Sequence, residues 1–168
     1  FVNPSSVGTR GYLSWTQLRE LAALGASIQS HGQHHDFLDE MPPAGVWAEL
    51  VDSRQSIADE IGRPASLFAP PNGRMPEGFL GRAQAAGYRA VCSSRVGLWD
   101  RGAPGDIPRF AVLAGTSAAQ FDRWLRREPV SMAVSLTRAA VLRSGKRLLG
   151  NAGYARVRDV LLRQAPRG

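Results

Sequence analysis

The sequence predicts an α/β fold built on a parallel sheet or barrel. Three observations point there. Short strand-like runs alternate with longer stretches of helical spacing between residues 14 and 127. A glycine stops successive helical stretches, at Gly25, Gly62 and Gly87. Chemistry-bearing residues follow directly on two strand-like runs, and ligand sites of α/β proteins gather at the C-terminal ends of parallel strands.

The elements follow in order. Phe1-Val2 resembles the tail of a strand, and residues 3–10 form a Ser/Gly/Pro loop. Ser14 with Gln17 three residues on makes a capping box. Leu18, Leu21 and Ala22 then give helical spacing up to Gly25. Ala26–Ser30 reads as a strand, 39–43 as a turn, and Val46, Leu50, Ile57 and Ile61 as the apolar face of a long helix. Ser66–Ala69 is a short strand with Pro70-Pro71-Asn72-Gly73 as a stiff loop at its end. A helix is expected over 77–86, a strand over Tyr88–Cys92, and a loop over 97–104. A strand follows over Ile107–Val112, with Pro108 marking an edge or bulge. Thr116 or Ser117 caps a helix reaching about Arg127, buried through Phe121 and Leu125. Residues 130–162 read as two helices broken near Gly150–Gly153.

Length and composition fit one soluble domain with a substantial core. The 168 residues are 43% hydrophobic and 21% charged. A chain of this size buries roughly 70% of its unfolded surface. No apolar run approaches the ~20 residues of a membrane-spanning helix. The chain opens on Phe1 with no secretory-signal pattern, and it is expected to begin inside a strand. Cys92 is the one cysteine, expected as a small buried strand residue. The net charge of +7 is uneven: residues 1–122 carry 10 basic and 12 acidic side chains (−2), and residues 123–168 carry 11 and 2 (+9). The chain therefore divides into residues 1–128 and a basic helical extension, 129–168. That extension reads first as a helical packing element with a solvated basic face. Its sharper reading is a peripheral contact with an anionic membrane. No nucleic-acid-binding motif accompanies the charge, so nucleic acid is not an expected partner.

All three histidines lie in Ser30-His31-Gly32-Gln33-His34-His35-Asp36-Phe37-Leu38. A helical turn beginning at His31 would put His31 and His35 on one face. Two neutral imidazoles so placed can share one metal ion. The plainer alternative is a polar loop with surface histidines.

The flanking residues extend the pattern. Ser-His-Gly-x-x-His followed by Asp-Phe-Leu resembles the metal-binding motif of the polysaccharide deacetylases, the NodB homology or carbohydrate esterase 4 family. Gly11-Tyr12-Leu13-Ser14-Trp15 upstream, and Phe68-Ala69-Pro70-Pro71-Asn72-Gly73 and Ala86-Gly87-Tyr88-Arg89-Ala90-Val91 downstream, fit the same order. The resemblance covers about residues 1–115. It implies an irregular (β/α) barrel of the polysaccharide deacetylase type, here lacking its first strand and carrying C-terminal helices. It implies a metal-dependent hydrolase removing acetyl groups, N-linked ones foremost, from a bacterial polysaccharide. The acetylated glycan is then the partner, zinc the expected divalent metal, and the bacterial cytoplasm or cell envelope the setting. A non-catalytic glycan-binding relative is the alternative.

The resemblance makes His31 and His35 metal ligands, and Pro70, Pro71, Asn72 and Gly73 part of the substrate cleft. Trp99, beside Asp100 in a loop, could stack on a sugar ring or simply anchor that loop. His34 falls between the ligand positions and is expected to point away. The family's third ligand and catalytic base are an aspartate pair on a first strand, which would precede Phe1. The chain also departs from the pattern. Ala69 stands where the family has a base-orienting arginine, Asn72 where it has tyrosine, and no histidine follows His35 to act as the late general acid. Arg109 is the candidate to replace the missing arginine, with an ordinary surface ion pair as its alternative role.

Overall fold

The computed structural model describes residues 1–100, 105–141 and 144. The chain forms two compact units, Phe1–Phe110 and Ala111–Gly168. The first unit is a parallel α/β layer. Its strands β1 (Leu67–Phe68), β2 (Ala90–Cys92) and β3 (Gly105–Ile107) pair in sequence order, all parallel. Two single-residue parallel bridges, Val2 to Ser30 and Ser30 to Phe68, extend the sheet toward the N-terminus. Five segments therefore run side by side in chain order, the arrangement that helical crossovers between parallel strands produce.

Helix α1 (Trp15–Ala23) starts at the expected capping box: the Ser14 hydroxyl accepts from the Gln17 amide and the Gln17 side chain from the Ser14 amide. Helix α2 (Pro43–Ile61) begins with proline at its first position, where a missing N–H costs nothing, and stops at Gly62 in the left-handed conformation. Its buried face carries Val46, Leu50 and Ile57 at helical spacing. These residues join Leu38, Ala65, Phe68, Phe79, Ala83, Tyr88 and Val91 in one core. Phe68 is its centre, with ring centroids 5.5 Å from Phe79 on α3 (Phe79–Ala85) and 5.3 Å from Tyr88.

Several expectations need correction. The Ala26–Ser30 strand contracts to a bridge at Ser30. The strand expected over Ile107–Val112 lies earlier, at Gly105–Ile107, and stops where Pro108 has no N–H to give the ladder. Arg109 therefore sits just past a strand, not within one. Residues 31–37 form bends and coil, not a helical turn.

In the second unit, Ser117 caps α4 (Ala118–Leu125) as expected, its hydroxyl accepting from the Gln120 amide. Residues 129–141 are also helical. The two helices meet through Gln120 to Ser131 and Trp124 to Ser135 hydrogen bonds of 2.8 and 3.0 Å. The faces that pair are thus those of Gln120 and Trp124, which leaves Phe121 and Leu125 43% and 66% exposed rather than buried. The expected helix break near Gly150–Gly153 lies outside the described residues.

Candidate metal-binding cleft

The histidine loop leaves the sheet at Ser30. The His31 amide donates to the Val2 carbonyl and the Ala69 amide to the Ser30 carbonyl, at 2.8 and 2.9 Å. Gly32 then turns the chain with φ of +87°, a conformation open to glycine at little cost. The turn brings the His31 and His35 rings together without a helix: their centroids are 5.0 Å apart and their planes tilted by 59°. Nδ1 of His31 lies 2.6 Å from the Ala69 carbonyl oxygen. A carbonyl only accepts, so Nδ1 carries the proton and the Nε2 lone pair stays open. Burial is the chief influence holding the His31 pKa below its ordinary value. The Ala69 bond opposes this, and the neighbouring His35, the chain's N-terminus and Arg109 act in the same direction as burial. The result favours neutral imidazole, the form that binds metal.

The backbone of this loop is secured on both sides. Asn3 donates through Nδ2 to the His31 and Gly32 carbonyls at 2.6 and 3.1 Å. Ser5 donates through its hydroxyl and its amide to the Gln33 carbonyl, at 2.6 and 3.1 Å. From the other side, Oε2 of Glu49 on α2 accepts the Gln33 and His34 amides at 2.7 and 2.9 Å. Oε1 of Glu49 lies 2.7 Å from Nδ1 of His34. The Ser30 hydroxyl donates to Ser53, and Ser53 and Tyr88 both reach carbonyls of α2. Tyr88 is pushed to a higher pKa, above all by burial.

Pro70–Gly73 follows β1 beside the histidines. Pro70 and Pro71 are buried, and Cγ of Pro71 would lie 3.8 Å from a Cβ at Gly32. Asn72 is exposed with φ of +53°, a left-handed conformation that asparagine tolerates better than most residues. Gly73 sits against Ser94, with no room for a Cβ. Arg74 then ties this segment to the end of the histidine loop. It lies 2.8 Å from Asp39 and 2.6 Å from Glu40, and 4.3 Å over the Phe37 ring. Arg109 is partly buried; its Nε donates to the Ser93 carbonyl at 3.0 Å and its guanidinium stands 5.8 Å from the Phe1 ring. Trp99 lies on the segment after β2, 41% exposed. Among the described residues, no hydrogen bond or ring contact joins Trp99 to the histidine pair. Cys92 is buried at the end of β2, and burial raises its thiol pKa.

One cluster escaped the sequence reading. Side chains of His34, Asp36 and Glu49 place potential ligand atoms within 4.8 Å of one another. Three N–H donors already occupy Glu49, two on Oε2 and one on Oε1, which leaves one of its four lone-pair sites for any further partner. The signal for Glu49 lay in its spacing: it falls three after Val46 and one before Leu50, so the buried face of α2 includes a carboxylate.

Comparisons with known proteins bear on this arrangement. A protein-family profile described as polysaccharide deacetylase matches residues 1–91, more than half of the 168. A protein of Bacillus subtilis (strain 168) named "Putative polysaccharide deacetylase YxkH" is 28% identical over 101 residues, 60% of this chain and 36% of that protein. The Streptococcus pyogenes deacetylase PplD, solved in complex with acetate, superposes with a TM-score of 0.67 at 20% identity. That match covers 73% of this chain and 55% of PplD. BC0361, a polysaccharide deacetylase from Bacillus cereus, gives 0.65 at 19% identity, covering 79% of this chain and 40% of the other. The structural matches establish a shared α/β fold. The chain spans about a third to a half of the length of these relatives. It belongs to the polysaccharide deacetylase family.

Proposed function

Starting from that membership, we propose that the chain is the histidine-bearing part of a hydrolase that removes N-linked acetyl groups from a bacterial polysaccharide, cleaving a carbon–nitrogen bond that is not a peptide bond. The observation that carries this is the pair His31 and His35, brought ring to ring with His31 held on the Ala69 carbonyl. The donor chemistry fits a divalent metal: one imidazole has its proton fixed away from the cleft, and its partner stands 5.0 Å from it. Zinc suits nitrogen donors of this kind. When bound, such an ion polarises a carbonyl oxygen and makes a water acidic enough to attack it near neutral pH.

The remaining roles belong to the chain itself. His31 and His35 would hold the ion, and burial keeps His31 in its neutral, ligating form. Among the described residues, no carboxylate joins these two histidines in a group of three ligands. The third ligand and the base would come from an aspartate pair outside residues 1–168, so these residues alone would turn over little substrate. Arg109 would grip that base; a guanidinium holds a carboxylate through two parallel bonds, which lysine cannot reproduce. Its charge already acts on His31. Pro70, Pro71, Asn72 and Gly73 would wall the substrate cleft, and Trp99 would stack on a sugar ring. The parallel segments would form an arc of an irregular barrel.

The test is deacetylation of N-acetylated chito-oligosaccharides by the full-length protein. Activity lost in His31→Ala and on chelation supports the reading. A second reading, a glycan-binding relative without catalysis, draws on Ala69 and on the absence of any histidine after His35. Glycan binding without acetate release would select it. We also propose that helix 129–141 contacts an anionic membrane surface: Val130, Val134 and Val141 are exposed, and residues 123–168 carry the basic excess. Binding to vesicles containing phosphatidylserine, lost in Val134→Asp, tests this; equal binding to neutral vesicles contradicts it.

A further inference from the structure

We infer that Glu49 is a positioning residue for the histidine pair: its buried carboxylate fixes the backbone between His31 and His35 and so sets their convergence. Glu49 is 3% exposed, on a helix face shared with Val46, Leu50 and Ile57. A buried carboxylate is costly unless its oxygens are satisfied. Among the described residues, no lysine or arginine pairs with it; the one basic side chain that reaches it is the imidazole of His34, which is 60% exposed. Three N–H groups satisfy it instead, two from the backbone of Gln33 and His34 and one from the His34 ring.

The location of those amides decides the role. They belong to the residues that separate His31 from His35. His31 is set independently, by Val2 and Ala69. Among the described residues, no hydrogen bond anchors His35 in the same way; its place follows from the residues before it. Asn3 and Ser5 hold the loop carbonyls, and Glu49 holds the amides, so removing Glu49 frees one side of the loop. Gly32 belongs to the same device. A Cβ there would stand 2.8 Å from Oε2 of Glu49, so glycine lets the carboxylate approach the turn. Bonds to a charged acceptor are roughly twice as strong as neutral ones, which gives a carboxylate an advantage over an amide or hydroxyl at this position.

This inference rests on the proposed metal role of the pair, and its test separates the two. In the metal-free 168-residue chain, a cross-peak between the His31 and His35 ring protons reports their proximity by NMR. Zinc titration then reports affinity, and thermal melting reports folding, all at a temperature where each variant is folded. Glu49→Leu keeps the volume and removes the acceptors. It is expected to lose the cross-peak and weaken zinc binding ~10–100-fold, the range for removing a group that orients a ligand. Glu49→Gln keeps a neutral acceptor and is expected at the low end, about tenfold; it decides the matter if the leucine variant does not fold. Gln55→Ala, on the exposed side of α2, is the control and should match the wild type. A folded Glu49→Leu or, failing that, Glu49→Gln with cross-peak and affinity within twofold of wild type overturns the inference, even if its melting temperature falls. If His31→Ala and His35→Ala leave zinc binding untouched, the metal role fails, and the cross-peak alone still decides whether Glu49 positions the pair.

Discussion

Replacing Gly32 by alanine puts a methyl group at the tightest point of the histidine loop. The backbone there has φ of +87°, and the new Cβ would meet Oε2 of Glu49 at 2.8 Å. A non-glycine residue in the left-handed region costs ~1–2 kcal/mol. Oε2 holds both the Gln33 and His34 amides, and losing one bond to a charged group costs ~1.5–3 kcal/mol. With one bond lost, the total is about 2.5–5 kcal/mol. Gly25→Ala supplies the comparison. Its φ is +94° with nothing within 4 Å of the new Cβ, so only the backbone cost of ~1–2 kcal/mol applies. Urea denaturation of both variants in the 168-residue chain gives the difference. Gly32→Ala no less stable than Gly25→Ala would refute the close approach of Glu49 and with it the clamped loop.

Other perturbations have defined outcomes. Leu50→Ala, at a fully buried position of the core, should cost ~2–5 kcal/mol in the same assay. Ser53→Ala removes the hydroxyl shared by Ser30 and Tyr88 and should cost ~1–3 kcal/mol, since it takes a partner from each of two buried groups. Arg109→Lys in the active full-length protein should cut turnover severely while metal content, measured by elemental analysis, stays unchanged; unchanged turnover would return Arg109 to a surface role. In the metal-free chain His31 should titrate below 6.5 by NMR, because burial disfavours its cation. Its depressed value contributes stability that is full above pH 6.5 and is lost as pH falls through the folded-state value; a His31 that titrates at or above 6.5 would contradict the buried, neutral ring.

The structure divides clearly between what local sequence dictates and what partners dictate. The start of α1 was legible because Ser14 and Gln17 satisfy each other's backbone within four residues. The span of α2 was legible because proline opens it, glycine closes it and Val46, Leu50 and Ile57 mark its buried face. Strand lengths were not legible. Ala26–Ser30 has strand-like composition, yet only Ser30 finds bridge partners, because pairing depends on neighbours remote in sequence. The four-residue spacing of His31 and His35 would bring the two rings to one face if residues 31 to 35 formed a helical turn. The same convergence arises from Gly32 and from contacts with Asn3, Ser5 and Glu49, none of which spacing alone exposes. Phe121 and Leu125 were expected inside because they are apolar and four apart. Burial follows the partner's position, and the partner helix meets Gln120 and Trp124.

The most direct measurement is a zinc titration of the 168-residue chain alongside His31→Ala, His35→Ala, His34→Ala and Asp36→Ala. The account predicts one ion per chain, with His31→Ala and His35→Ala each abolishing or severely weakening binding and Asp36→Ala leaving it near wild type. Nitrogen NMR of the wild type should place the metal on Nε2 of His31, because Nδ1 is committed to the Ala69 carbonyl. Binding that survives His31→Ala and His35→Ala but disappears in His34→Ala and Asp36→Ala would place the ion at the Glu49 cluster and contradict the account.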